Sequence, residues 1–397
     1  MLHKITIENF FSIADRQEIS FDVPANAPDI SCFRKSLSDD EVRLPTMVGF
    51  FGPNAAGKTT ILRAVVSSAM FVLHSFNWTN EINLFFQSYR QKDWWGKPTK
   101  IIIELDSRLD STSLPAKFRY ELQISHKANS FSDKTILYEA LFYAPKGKFR
   151  CLFERKGQEF YFGQEFGIFA SNDPRKEMIR ANASVISTLA KANHSLSIHL
   201  SQLIGTFQSN FIFNGIQQNF QQWLSVYAND KVCLEHLNRE LRRLDVGLES
   251  MVVERGNQGL FAKFYHTGLD DFIFLEEESA GTQRFIDIFP RLYYALQTGS
   301  VAIIDELDIH FHPLLLPELF RWFSDQHRNP HGAQLIFSGH NPALLDSLEK
   351  EQVFFVEKPS GQSTCVYGAR DIKGLRREPS LMKKYLAGEL GAIPHIG

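Results

Sequence analysis

Gly52-Pro53-Asn54-Ala55-Ala56-Gly57-Lys58-Thr59-Thr60 follows directly on the apolar run Met47-Val48-Gly49-Phe50-Phe51. Strand, glycine-rich turn, Lys-Thr and helix in that order make a nucleotide-binding P-loop, and each residue type has a physical task. Gly52 and Gly57 let the backbone curl around phosphates, and amide N–H groups at the N-terminus of the next helix point at the anion. Lys58 is placed to reach the β- and γ-phosphates and Thr59 to hold Mg²⁺, with Asn54 and Thr60 completing the ATP-binding set. Beyond the turn, Ile61, Leu62, Val65, Val66, Ala69 and Val72 recur at helical spacing, which predicts a helix from Lys58 to about Ser75.

A second constellation sits far along the chain. Val301-Ala302-Ile303-Ile304-Asp305-Glu306 reads as a buried strand ending in two acids. Beside a P-loop, Asp305 is expected to help hold Mg²⁺ through its water shell, and Glu306 sits where a general base polarises the attacking water. Upstream, Glu278-Ser279-Ala280-Gly281-Thr282-Gln283 opens a helical run through Arg284, Ile286, Phe289 and Leu292. Ser279 is a natural N-cap there, and Gly281 lets a phosphate approach the backbone. Downstream, a strand from Ala333 to Phe337 ends in Ser338-Gly339-His340-Asn341, where His340 can donate a hydrogen bond to a γ-phosphate. Singly these features are common. Their order is that of an ABC-type ATPase.

At this point the chain resembles the SMC/RecF-like branch of that superfamily, and within it the AAA15/AAA21 ATPases with an OLD-like nucleotide-binding domain, as found in bacterial anti-phage abortive-infection systems. The resemblance is carried by ITIENFFSI (5–13), GPNAAGKTT (52–60), ESAGTQRF (278–285), IIDELDIHFHP (303–313), FSGHNPALL (337–345) and the tail RREPSLMKKYLAGELGAIP (376–394). It covers both ends of the chain, roughly 1–75 and 270–397, and is much less specific in the middle. It implies an α/β fold, an ABC-type P-loop ATPase with a mixed central sheet, an antiparallel β extension and a helical insertion. By the same resemblance, Ser279 and Gly281 are the signature that contacts ATP bound to another subunit. Asp308 belongs to the loop after the catalytic acids, and His340 is the switch histidine. For the glutamine that senses Mg²⁺ and water, Gln87 is the candidate, with Gln91 close by. Two copies head to tail would then sandwich two ATP molecules, and hydrolysis would loosen the interface.

Composition agrees with a globular protein: 397 residues, 44% hydrophobic and 22% charged, with a net charge of −2. Nothing in that charge draws in nucleic acid globally, so any such contact needs a local patch. Cys32, Cys151, Cys233 and Cys365 are scattered, without a CxxC pair, as in a reducing cytosol. The N-terminus alternates like a strand and lacks a signal-peptide core, and no window approaches 18 uninterrupted apolar residues, so a cytoplasmic protein with no membrane span is expected. Strands are predicted near 2–8 and 18–22, a polar loop over 26–43, and further β runs at 101–105, 118–124, 135–143 and 149–153. Residues near 173–243 turn helical, at 198–223 and 232–244. The expected organisation is 1–170 (P-loop half and β extension), 171–245 (helical insertion) and 246–397 (signature, acidic strand and switch histidine), with α/β alternation resuming after about 246.

The chain departs from transporter ATPases in its odd signature and long insertion, and from SMC proteins in having no sustained heptads. The stretch after His340 is too short for the TOPRIM nuclease that many OLD proteins carry, so a nuclease is expected on a partner chain. The leading expectation is an oligomeric ATP-driven sensor that regulates a separate effector in anti-phage defence. The alternative is a RecF/SMC-like repair or chromosome-maintenance ATPase that binds DNA directly. A transporter ATPase is a third reading and requires a membrane partner. His310-x-His312 reads as a loop-to-helix junction before Pro313 and not as a metal site. The phenylalanine clusters at 71–86 and 207–220 read first as core. Lys373, Arg376, Arg377, Lys383 and Lys384 read first as a solvated basic face. No Ser-His-Asp or Cys-His grouping calls for another hydrolase chemistry.

Overall fold

The computed structural model describes residues 1–79, 82–109, 112–126, 134–167, 173–211, 213, 220–244, 247–257, 259–312, 315–359, 362–376 and 380–394. Its central sheet places Gln208–Ser209, Val301–Ile304, Gln334–Gly339, Met47–Phe51 and Val353–Glu357 side by side, all parallel, and Cys365–Gly368 closes the far edge antiparallel. Met47–Phe51, Val301–Ile304 and Gln334–Gly339 are buried at every position because both faces are covered, as parallel sheets require. Val48, Phe50, Ile303, Ile336 and Phe354 face the P-loop helix, Lys58–His74. Met47, Phe51, Ile304, Leu335 and Phe337 face the helices Ala280–Thr298 and Leu315–Ser324. The register pairs Ile304 with Phe337 and Gly339 with Phe51, so the P-loop, the two acids and His340 all emerge at the C-terminal ends of these strands.

The antiparallel extension is a seven-stranded sheet of its own. The N-terminal hairpin, Leu2–Glu8 with Gln17–Ser20, joins Thr99–Ser107, Ala116–Ile124, Ile136–Ala144, Arg150–Lys156 and a last strand, Glu159–Phe162, that the sequence reading did not include. Strict alternation in Ala116–Ile124 turns Phe118, Tyr120, Leu122 and Ile124 inward. The P-loop helix lies between the two sheets and is buried on more than one face. Ile61, Leu62, Val65, Phe71 and Val72 are at most 2% exposed, and such side chains stabilise by roughly 1.5–3 kcal/mol each on burial. Residues 58–77 form the one helical stretch among the described residues long and apolar enough to cross a membrane, and more than half of it is buried in the protein. The two phenylalanine clusters meet in this core, with the Phe85 and Phe213 rings 4.2 Å apart.

Two expectations change. The helix predicted over 198–223 is instead a helix, Ser195–Gly205, then the short strand Gln208–Ser209 beside Val301–Ile304, and a later helix, Phe220–Asn229. Apolar spacing over so short a run does not separate helix from a strand buried on a sheet, and Phe207 and Phe211 pack on the core from the extended segment. After residue 246 the chain forms an antiparallel hairpin, Leu248–Gly256 with Gly259–His266, before any α/β alternation. Met251, Val253, Ala262 and Phe264 point inward there, a period of two that marks strands.

Candidate nucleotide-binding site

The P-loop takes a shape that only glycine fits at two places. Gly52 has φ +153° and a Cβ there would lie 2.0 Å from the Val356 carbonyl oxygen; at Gly57, φ is +112° and a Cβ would lie 2.2 Å from Thr364 Oγ1. Gly57 is the N-cap of the P-loop helix and no side chain caps it, so the first amides of the helix are left for an anion. Lys58 Nζ donates to the carbonyls of Gly52 at 2.7 Å and Pro53 at 3.0 Å, and lies 3.4 Å from His340 Nδ1. Burial lowers the Lys58 pKa, and the nearby Asp305, Asp308 and Glu306 only partly restore it.

Asp305 and Glu306 leave the strand end in a tightly tied turn. Thr59 Oγ1 donates to Asp305 Oδ1 at 3.2 Å, and Ser338 Oγ donates to the same oxygen at 2.5 Å while accepting from Glu306 N at 2.8 Å. Asn210 holds the Asp305 backbone through both ends of its amide, each at 2.8 Å. Arg284, from the signature helix, donates to the carbonyls of Asp305 and Glu306 at 3.2 and 3.3 Å. These ties hold Glu306 at φ +52°, a left-handed conformation costly for a non-glycine residue. Its carboxylate stays open, with the side chain 48% exposed and Oε1 3.8 Å from His340 Nε2. Asp308 Oδ2 accepts from the backbone N–H of His340 at 2.7 Å and of Asn341 at 2.5 Å, which fixes the histidine's loop. The other oxygen, Oδ1, is buried without a hydrogen-bond partner among the described residues.

Asn54, Gly57, Lys58, Thr59, Thr60, Glu306 and His340 line one cleft of ≈ 560 Å³, together with Ser12 and Ile309. The fold therefore brings the separate sequence motifs together, Asp305 joining through Thr59 and Asp308 through His340. Glycine cradle, ammonium, hydroxyl and carboxylate match the donor set that a Mg²⁺-triphosphate needs. Ser279 caps the signature helix by accepting from Thr282 N at 3.1 Å, outside this cleft. The helix opens instead on a neighbouring cavity of ≈ 290 Å³ shared by Ala280, Gln283, Arg284, Glu306 and His310. A Cβ on Gly281 would lie 2.9 Å from the His310 carbonyl oxygen. Gln87 is not brought to the cleft: its carbonyl accepts from Phe11 N at 2.8 Å and its side chain from Arg90 at 3.0 Å.

Pro313 and Arg377 lie outside the described residues. Among those described, no group of three or more His, Cys, Asp or Glu side chains is arranged to hold a metal ion. Sequence reasoning missed Ser12, Asn210 and Thr364. Ser12 lies inside the ITIENFFSI motif and could have been found there. Thr364 donates to the Ala56 carbonyl at 2.7 Å from 308 residues away, and nothing local marks it.

A mixed, mainly parallel sheet carrying the P-loop, acid pair and histidine at the C-terminal ends of its strands, with the capped helix Ala280–Thr298 beside them, defines an ABC-type P-loop ATPase fold. The chain belongs to the family described as "AAA domain, putative AbiEii toxin, Type IV TA system", whose pattern matches residues 47–346. Among solved structures it is similar to an Smc head bound to the C-winged helix domain of ScpA, with TM-score 0.51, 11% identity, and 92% of this chain and 97% of that chain covered. A second Smc head, with an extended coiled coil and bound to the C-terminal domain of ScpA derived from Pyrococcus furiosus, gives TM-score 0.43 at 10% identity, covering 93% and 96%. At 11% identity the likeness to the first of these is one of fold. No curated protein matches the chain.

Proposed function

We propose that this chain binds and hydrolyses ATP with Mg²⁺ in the bacterial cytoplasm, as a homo-oligomeric switch that regulates a separate effector protein in anti-phage defence. The observation that carries the ATPase reading is Thr59 Oγ1 lying 3.2 Å from Asp305 Oδ1, in a cleft that also holds Lys58, Glu306 and His340. Mg²⁺ supplies charge neutralisation on the triphosphate when bound, and Thr59 and Asp305 are the residues that would hold it. Lys58 leaves its P-loop carbonyls for the β- and γ-phosphates. Glu306 takes the proton of the attacking water, and His340 donates a hydrogen bond to the γ-phosphate.

Ser279 and Gly281 lie outside their own chain's cleft, which supports a second copy receiving them across an ATP sandwich. Asp308 contributes by holding the His340 loop. We also assign residues 1–170 and 246–397 to the two halves of the ATPase and 171–245 to the insertion. The regulatory role rests on the resemblance to abortive-infection ATPases and on the family's printed link to a toxin–antitoxin system.

The test is a pull-down from the native locus with wild type and Glu306→Gln, read by mass spectrometry and nucleic-acid staining. Glu306→Gln is expected to keep ATP bound and accumulate oligomers, with turnover down at least ~100-fold, and to retain a stoichiometric neighbour-encoded protein. Lys58→Ala is expected not to oligomerise. Normal turnover in both variants would remove the catalytic assignments. Nucleic acid alone in the pull-down would favour a repair ATPase acting on DNA.

A further inference from the structure

Behind one wall of the cleft runs a chain of hydroxyl groups. Ser12 Oγ lies 2.9 Å from Thr60 Oγ1 and 2.8 Å from Thr364 Oγ1, and Thr364 Oγ1 lies 2.7 Å from the Ala56 carbonyl oxygen. A hydroxyl has one proton to give and a carbonyl has none, which fixes the direction. Thr364 donates to Ala56, Ser12 to Thr364, and Thr60 to Ser12. The three residues come from distant parts of the sequence: the turn 10–13 of the N-terminal hairpin, the first turn of the P-loop helix, and the position before strand Cys365–Gly368. The Thr364 N–H also donates to the Ser12 carbonyl at 2.9 Å. Gly57 is what lets this chain reach the loop, since a Cβ there would lie 2.2 Å from Thr364 Oγ1 and 2.8 Å from Ser12 Oγ. Thr364 is fully buried, whereas Ser12 lines the cleft.

The hydroxyls mark one side of the cleft. Thr59 and Thr60 are neighbours at the start of the P-loop helix, yet Thr59 bonds to Asp305 and Thr60 to Ser12. With Asp305 beside Mg²⁺ and with Glu306 and His340 at the γ-phosphate, the Ser12 side is left for the inner phosphates. We propose that Ser12 and Thr364 are positioning residues for the α- and β-phosphates, acting through Thr60 and Ala56; this rests on the ATPase reading above. A carbonyl turned toward a phosphate repels it. Lys58 occupies the Gly52 and Pro53 carbonyls only until it moves to the phosphates. Thr364 keeps the Ala56 carbonyl turned away with or without nucleotide. Ser12 holds the Thr60 hydroxyl at the cleft wall, where it exchanges Ser12 for a phosphate oxygen. Without the chain, the loop relaxes in the open cleft and solvent pairs the freed carbonyl. The cost of ordering the loop again then falls on binding.

The experiment measures binding of the N-methylanthraniloyl derivatives of ADP and of non-hydrolysable β,γ-imido-ATP to the full-length chain by fluorescence. Mg²⁺ is present, and the chain is dilute enough to stay monomeric. Thr364→Val keeps the side-chain shape and removes the donor, so affinity for both nucleotides should fall about tenfold, by the same factor. Ser12→Ala should lower both severalfold. Thr364→Ser restores the hydroxyl and should bind within about twofold of wild type. The double variant Ser12→Ala/Thr364→Val should lose no more than Thr364→Val, because both residues act through one chain. In turnover assays the loss should appear in KM and not in kcat. Melting curves establish folding, and if Thr364→Val does not fold, Ser12→Ala decides by the same two nucleotides. Unchanged affinity in a folded variant overturns the proposal, as does Thr364→Ser binding no better than Thr364→Val. A loss confined to the triphosphate, or losses that multiply in the double variant, also overturn it. A wild-type chain that binds neither nucleotide removes the ATPase reading and the proposal with it.

Discussion

Asn210 clamps Asp305 through both of its backbone groups: the side-chain amide donates to the Asp305 carbonyl and accepts from its N–H, each at 2.8 Å, across 95 residues of sequence. The amide extends the pairing of Gln208–Ser209 with Val301–Ile304 by one more rung, at the point where the strand must stop and turn. Asn210→Ala leaves a part-buried N–H unpaired, at a cost of about 1–3 kcal/mol. The expected result is ATP turnover reduced about ten- to hundredfold, with nucleotide affinity nearly unchanged. Loss of affinity together with turnover would mean that Asn210 supports the whole cleft and not the acid turn.

Gly52→Ala tests the P-loop shape. The added Cβ meets the Val356 carbonyl oxygen at 2.0 Å, at a backbone φ of +153°. Neither the neighbouring strand nor the loop can yield cheaply, so a stability loss of at least ~1–3 kcal/mol is expected, with nucleotide binding lost. Denaturant midpoints and binding of a fluorescent ATP analogue check both. A variant as stable as wild type would show that this loop is more pliable than its contacts imply.

Arg284 links the signature helix to the acid turn. Its guanidinium donates to the Asp305 and Glu306 carbonyls and pairs with Asp287 at 3.3 Å, and burial lowers its pKa. Arg284→Gln keeps a donor but loses the fork, so turnover should fall at least ~tenfold while monomeric ATP binding is retained. Unchanged turnover in oligomers would show that the acid turn holds itself.

Stability should respond to pH through His3 and Asp106, which are buried and 2.8 Å apart. Burial alone would lower the His3 pKa, but hydrogen bonds to Asp106 and Asp22 outweigh it and hold it above 6.5. Burial likewise would raise the Asp106 pKa, and the His3 hydrogen bond leads the effects that hold it well below the carboxylate range. The histidine's contribution is full below 6.5 and lost as pH rises through its raised pKa; the aspartate's is full above 3.8 and lost as pH falls through its lowered one. Between these limits the pair contributes fully. Urea midpoints of the nucleotide-free chain should therefore decline as pH rises above 6.5, and His3→Gln should flatten that decline. An unchanged slope in the variant would assign it to other groups.

Much of the candidate cleft's lining could be read in the sequence because its geometry is local. Gly52, Gly57, Lys58 and Thr59 act through a single turn, and Ser279 caps its helix through Thr282, three residues on. The strand-end placement of Asp305, Glu306 and His340 could likewise be read from apolar runs that stop at polar residues. Gln87 shows the limit: a glutamine in a polar, aromatic stretch carries no local mark of what it faces. The helix expected over 198–223 failed for a related reason, since periodicity alone does not separate a short buried strand from a helix.

The sequence by itself determined the elements whose hydrogen bonds close within a few residues: the P-loop, the capped signature helix, and the strands with their apolar runs. Only the tertiary structure decided which of them meet. Asn210 with Asp305, Thr364 with Ala56 and Arg284 with Glu306 are contacts set by strand order and register in the central sheet, and they join residues that no local pattern relates.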